Sequence, residues 1–253
     1  MCLIASVETP KALALVEAQL ATWVPHACDN VLFYSNHSDP DKFVEHVFHD
    51  GPESHDNMWR KLRSALLFLH NHYDACLAPF DWFFLADADT FVIPSNFRRV
   101  LDEYQGVGAT PVFLGRPLKI PTGAKLEFNS GGAGMVLNRL ALDHLFRAFA
   151  RDSCTVNHVS APLDTVLAEC LLSQSILPAD TRDANARHRF HMLSPYGHLL
   201  LSQDRNGKGD WVHDYSIFLG PIRYGLDYFS PSSATFHYMS PPAMLFFHHL
   251  LHP

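Results

Sequence analysis

The run WFFLADADTFVI, residues 82–93, is built of strand-forming residues and is broken by two carboxylates one residue apart, Asp87 and Asp89. Phe, Leu, Ile and Val favour a buried strand, and carboxylates at its end carry a desolvation cost unless a cation or hydrogen bonds offset it. With only Ala88 between them, Asp87 and Asp89 can turn carboxylate oxygens toward one hard divalent cation, which prefers oxygen ligands and can hold substrate phosphates. An ordinary turn is the other reading, since Asp is frequent in turns.

The chain upstream of this run alternates in pattern. Residues 2–7 read as a strand, 10–24 as an amphipathic helix carrying the polar Lys11, Glu17 and Gln19, and VLFYS from Val31 as a second strand. Asp39, Pro40 and the GPES tract from Gly51 mark loops, after which helical spacing begins at Met58. This order predicts a parallel sheet, whose ligands bind beyond the carboxyl ends of the strands, and Asp87 and Asp89 fall near such an end.

Downstream, Ser95 is expected to cap a helix with Phe97, Val100 and Leu101 on its apolar side, and VFLG to form a further strand. NSGGAGMVLN, from Asn129, sets three glycines ahead of a strand-like run, so that backbone can approach a ligand closely; a tight turn is the alternative. Helices are expected from Leu140 and from Ala161, the second with Pro162 and Asp164 in its first turn, where the helix dipole favours a carboxylate. From about Pro178 the chain becomes polar and loop-rich, through DTRDANARHRFH and a Gly/Asp tract near Gly207, with aromatics at Trp211, Tyr215 and Phe218. ATFHYMSP places His237 among Phe236, Tyr238 and Met239, a setting more usual for a core histidine than for a ligand. No internal repeat or low-complexity linker divides the 253 residues. One domain is expected, with halves of about 1–115 and 116–253, the second elaborated for substrate recognition.

An apolar content of 47% is that of a globular protein able to bury a core. A net charge of −7 and the lack of a dense Lys/Arg stripe argue against nucleic acid as a partner. Seventeen histidines against nineteen Lys plus Arg make the charge sensitive to mild acid. No segment supplies the roughly 18 apolar residues that cross a bilayer, and no basic region precedes the first apolar stretch. The chain as given reads as soluble, with a missing upstream anchor left open. Five cysteines are too few for a disulfide scaffold, and none lies in a CxxC. Bridges Cys2–Cys28 and Cys154–Cys170 with Cys76 free are one reading, and five reduced core cysteines of a cytosolic protein are the other. The sequon Asn36-His37-Ser38 leans toward a secretory compartment.

Six segments stand in an order that resembles the fringe-like β1,3-glycosyltransferases, most closely those that build the core 1 O-glycan. They are ATWVPHACDNVLFYS, LFLHNHYD, DWFFLADADTFVI, FNSGGAGMVLNRLAL, DTRDANARHRFH and SATFHYM, and they span nearly the whole chain. The resemblance implies an α/β GT-A fold with a mixed sheet, a Rossmann-like half that binds UDP-galactose through manganese, and an acceptor-binding C-terminal half. It implies inverting transfer of galactose to the 3-hydroxyl of GalNAc O-linked to Ser or Thr of a glycoprotein. The family works in the Golgi lumen behind an N-terminal anchor, and homodimers occur among its members.

Residue by residue, Asp87 and Asp89 match the outer carboxylates of the family's DDD, with Ala88 in place of the middle one, and His237 matches the histidine that completes the metal set. Ala5 and Ser6 match the end of the first strand, where uridine is held. Glu53 and Lys61 fit the EGR…K pattern of the nucleotide site, although Ser54 and His55 replace its Gly-Arg. Asp164 takes the position of the catalytic base, with Leu163 where the family has Glu. Trp211 and Tyr215, with Gly131 and Gly132, fall in the acceptor region. The family's vicinal Cys-Cys near the C-terminus has no counterpart in YGLDYFSPSS. A fringe-type GlcNAc transfer to fucose and a silent, chaperone-like relative are the rival readings.

Overall fold

The computed structural model describes residues 1–77, 80–105, 110–123, 126–151, 154, 162–201 and 211–251, with backbone alone over 72–77. The first half runs β1 (Cys2–Ala5), α1 (Pro10–Ala21), α2 (Val24–Ala27), β2 (Val31–Ser35), β3 (Val44–His46), α3 (Met58–Leu77), β4 (Trp82–Asp87), β5 (Phe91–Val92) and α4 (Pro94–Tyr104). There follow β6 (Phe113–Leu114), β7 (Pro117–Lys119), β8 (Glu127–Asn129), β9 (Met135–Asn138), α5 (Arg139–Phe149) and α6 (Leu163–Leu172). The chain closes with β10 (Phe190–His191), α7 (Pro195–Leu199), α8 (Trp211–Ser216), β11 (Thr235–Phe236) and α9 (Pro241–Leu251).

The main sheet has the order β3-β2-β1-β4-β9-β6. Its first four strands are parallel, as the alternating pattern predicts, whereas β9 is antiparallel to both β4 and β6. The alternation of side chains along each strand divides the core in two. Ile4, Phe33 and Phe84 pack with Val16 and Trp23 on one side. Leu3, Tyr34, Phe83 and Leu85 pack with Trp59 and Leu62 of α3, Leu142 of α5 and Leu167 of α6 on the other. Asp87 continues the Phe83–Leu85 series, so it points to the α3 and α6 side just where the strand ends.

Local signals account for several helix starts. Thr9 caps α1, its hydroxyl accepting from Ala12 N at 3.2 Å, with Pro10 in the first turn. Asn138 caps α5 by accepting from Ala141 N at 2.9 Å. At α4 the expected Ser95 cap is not used: the helix begins at Pro94 with Ile93 before it. Proline fixes the helical φ and lacks the N–H that a cap would satisfy, so the cap position moves two residues upstream, from Ser95 to Ile93. Pro162 likewise stands at the cap position of α6 rather than inside the first turn, while Asp164 lies in that turn as expected.

The disulfides Cys2–Cys28 and Cys154–Cys170 are both formed, which sets aside the fully reduced reading. Each ties loop to core, and such bridges typically contribute about 2–4 kcal/mol. The side chain of Cys76 and the tract near Gly207 lie outside the described residues. No helix among the described residues is long and apolar enough to cross a membrane.

Candidate active site

A cavity of about 210 Å³ opens at the carboxyl end of β4 and is lined by Asp87, Asp164, His55, Trp211 and His237 among others. Three separate parts of the chain bring its acidic and imidazole groups together. Asp87 closes β4, where it pairs in register with Ala5 at the end of β1. A tight turn, with Thr90 N donating to Asp87 O at 3.1 Å, leads to β5. The second, three-stranded sheet, of order β10-β11-β5, then pairs Phe91 with Phe236 antiparallel, which sets His237 beside Asp89. Met239 N donates to Asp89 O at 2.9 Å and fastens the two ends.

His237 Nε2 lies 3.2 Å from Asp89 Oδ1 and 3.8 Å from Asp87 Oδ2. One ligand atom from each of the three residues falls within 4.8 Å of the others. Nδ1 faces Met192 O at 3.3 Å, and since a carbonyl only accepts, Nδ1 carries the proton and Nε2 is turned to the carboxylates. Burial works against charge on the ring, but the hydrogen bond and charge of Asp89, with Asp87 behind it, outweigh that and raise its pKa. Burial raises the Asp87 carboxyl in turn, against the opposing pull of His237. Two carboxylates and an imidazole so close together suit a divalent cation that accepts both oxygen and nitrogen donors.

The glycine tract is what allows this approach. A Cβ placed on Gly132 would lie 2.0 Å from His237 Cε1, so no other residue fits beneath the ring. Gly132 O accepts from Thr90 Oγ1 at 3.0 Å, and Ala133 O from Thr235 Oγ1 at 2.6 Å, which pins the tract to the turn before β5 and to β11. Gly131 N donates to Asp164 Oδ2 at 3.1 Å. Gly132→Ala is expected to push the ring off the carboxylates and to weaken divalent-cation binding by about 10- to 100-fold, as for other residues that orient a ligand. Calorimetric titration of the variant checks this, and an unchanged affinity refutes it.

Asp164, at the start of α6, faces the same cavity. Its Oδ1 accepts from Thr165 N at 2.9 Å. Burial raises its pKa, while the Gly131 and Thr165 amides work the other way. A carboxyl so placed is fixed in orientation and more basic than one in water.

The other residues singled out from the sequence are placed differently. Ala5, Ser6, Glu53 and Lys61 are not among the residues lining the cavity. Lys61 is 1% exposed and donates to Ser6 O and to Glu53 Oε2, while Glu53 Oε1 meets His49 Nε2 at 2.8 Å. Burial lowers the Lys61 pKa, with Glu53 opposing, so this lysine fastens the loop of Glu53 to the end of β1. Trp211, half exposed at the first position of α8, does line the cavity. Tyr215 instead packs edge-on against Phe128, with ring centroids 6.2 Å apart.

Gln19 was assigned to a polar helix surface and is instead fully buried, its Nε2 donating to Asp87 O at 3.2 Å and to Thr90 O at 3.0 Å. It braces both ends of the turn that carries Asp89. His55, which replaces the Arg of the EGR pattern, stands in the cavity wall, and its charge is felt by both Asp87 and Asp164.

A family profile described as Fringe-like matches residues 12–193. The chain belongs to the Fringe-like family. Its six-stranded mixed sheet is the GT-A arrangement that the resemblance implies. This Fringe-like chain is also 32% identical, over 223 residues, to a Xenopus laevis protein named glycoprotein-N-acetylgalactosamine 3-beta-galactosyltransferase 1. The match covers 88% of this chain and 58% of that protein, so the chain spans little more than half the length of its curated relative.

Proposed function

We propose that this Fringe-like chain is an inverting, metal-dependent β1,3-galactosyltransferase that moves galactose from UDP-galactose to the 3-hydroxyl of GalNAc O-linked to Ser or Thr of a glycoprotein. The observation that carries the reading is one cavity lined by a separate, oriented carboxylate, Asp164, and by Asp87 and His237, two members of a cation set that Asp89 completes from beside it. The name of the Xenopus relative supports the donor and acceptor sugars.

Manganese bound by Asp87, Asp89 and His237 would supply Lewis-acid neutralisation of the charge on a departing diphosphate. Asp164 accepts the proton of the acceptor hydroxyl at a carboxylate oxygen, while Gly131 N–H and Thr165 N–H hold it in place. Trp211 offers an aromatic face of the kind on which a sugar ring stacks. Ala5 and Ser6 at the end of β1, with the Glu53–Lys61 pair behind them, shape the uridine side. Leu163, next to the base, adds no second carboxylate to the cavity wall. The two disulfides support maturation in an oxidising lumen, with the Golgi as the working compartment.

UDP release from a panel of UDP-sugars, measured with manganese and a GalNAc-peptide, tests the reading. UDP-galactose is expected to turn over well above the other donors, and chelation to abolish the signal. Preferred turnover of UDP-GlcNAc onto fucose would replace the substrate assignment. No turnover with any acceptor would leave a binding protein rather than an enzyme.

A further inference from the structure

We propose that Asn36 is an N-glycosylation site, whose glycan stands beside the edge strand of the main sheet. Asn36-His37-Ser38 is the one Asn-x-Ser/Thr sequon in the 253 residues. The structure puts it where a bulky, solvated group can be carried. Asn36 follows β2 directly and is exposed. Its Oδ1 accepts from Glu8 N at 2.9 Å, which orients the amide, while its Nδ2 has no partner among the described residues. Ser38 Oγ accepts from His46 N at 3.1 Å, so the sequon lies along β3, the edge strand of the six-stranded sheet. Proteins commonly cover such edges, and here Val44 N donates to Asp39 O at 3.0 Å, so the sequon loop itself runs along the strand. Beside it Asn36 shares a shallow recess with His46, Gly51 and Phe48, and Phe48 is 77% exposed. Asn36 does not line the cavity of Asp87, Asp164 and His237.

The inference rests on the part of the functional reading that places the chain in a secretory lumen, for which the two disulfides are independent support. In the transfer, a bond forms between Asn36 Nδ2 and the anomeric carbon of an oligosaccharide carried on a polyprenyl diphosphate. The bond from that carbon to the diphosphate oxygen breaks, the polyprenyl diphosphate leaves with the electron pair, and the amide loses one proton to a base of the transferring enzyme.

The test is secretion of the full chain from eukaryotic cells, followed by treatment with an amidase that releases N-glycans. One downward mobility step is expected, with Asn36 converted to Asp in the peptide mass spectrum. Asn36→Gln and Ser38→Ala abolish the step, and Ser38→Thr keeps it. A secreted chain that carries both disulfides and shows no step overturns the proposal. A glycosylated chain that turns over no sugar donor upholds the site while removing the transferase reading, so the two fail separately.

Discussion

Asp164→Asn lowers turnover by about 10²- to 10⁴-fold, the usual worth of a positioned general base. The substitution removes the basic oxygen and little else. Asn Oδ1 can still accept the Gly131 N–H, and the hydrogen bond lost at Thr165 N costs about 1 kcal/mol, a small part of the stability of a domain this size. UDP and manganese affinities therefore stay at the level of the unsubstituted chain, because Asp87, Asp89 and His237 keep their geometry. Burial raises the Asp164 carboxyl from its ordinary value, which moves it toward the pKa at which a base works best near neutral pH. Single-turnover rates with saturating UDP-galactose and GalNAc-peptide, beside calorimetric UDP binding, separate the two roles. An unchanged rate removes Asp164 as the base, and lost UDP binding makes it a structural residue of the donor site.

The parts of the molecule that were legible in the sequence are those where the local cost is unusual. Two carboxylates at the end of an apolar strand are costly wherever they fall, and the structure puts them at the carboxyl edge of a sheet whose first four strands are parallel. Asp164 was placed by a helix start that the pattern marked. His237 reads as a core residue from its neighbours, and only the family order marks it as a candidate ligand, because its approach to Asp89 depends on the pairing of β5 with β11. Gln19 reads from the sequence only as one polar residue of an amphipathic helix. Nothing local distinguishes a glutamine that braces a distant turn from one in water, since its partners, Asp87 O and Thr90 O, are backbone atoms far along the chain. The antiparallel β9 was likewise invisible in the order of elements, for direction is decided by pairing and not by composition.

Histidine content likewise carries no information on position, with a consequence for stability in acid. Of the seventeen histidines, His188, His191 and His198 are buried together beneath Tyr228 and Phe229. Arg116 Nη1 donates to His188 Nδ1 at 2.8 Å, His191 Nε2 meets Ser233 Oγ at 2.9 Å, and His198 Nε2 accepts from Leu193 N at 3.1 Å. Burial, with the Arg116 charge acting on all three, pushes each well below 6.5, and His198 to about 3. The unfolded chain thus binds protons that the folded chain refuses. The stabilising contribution is complete above about pH 6.5 and is lost as the pH falls below it, by about 1.4 kcal/mol per pH unit for each such histidine. Three together amount to about 4 kcal/mol per unit against a typical total of about 5–15 kcal/mol. His237, Asp87 and Asp164 act in the opposite sense: with folded pKa values raised, they contribute stability at low pH that is lost as the pH rises through those values, so the net slope is less than three protons. Denaturant unfolding at about pH 7.5, 6.5 and 5.5 is expected to show stability falling steeply over the last step. His198→Gln, whose side-chain oxygen can take over the Leu193 N–H, makes that fall shallower by about one proton. Stability that is flat between the two lower pH values, or a slope that His198→Gln leaves unchanged, would show that the buried histidines are not the groups that titrate.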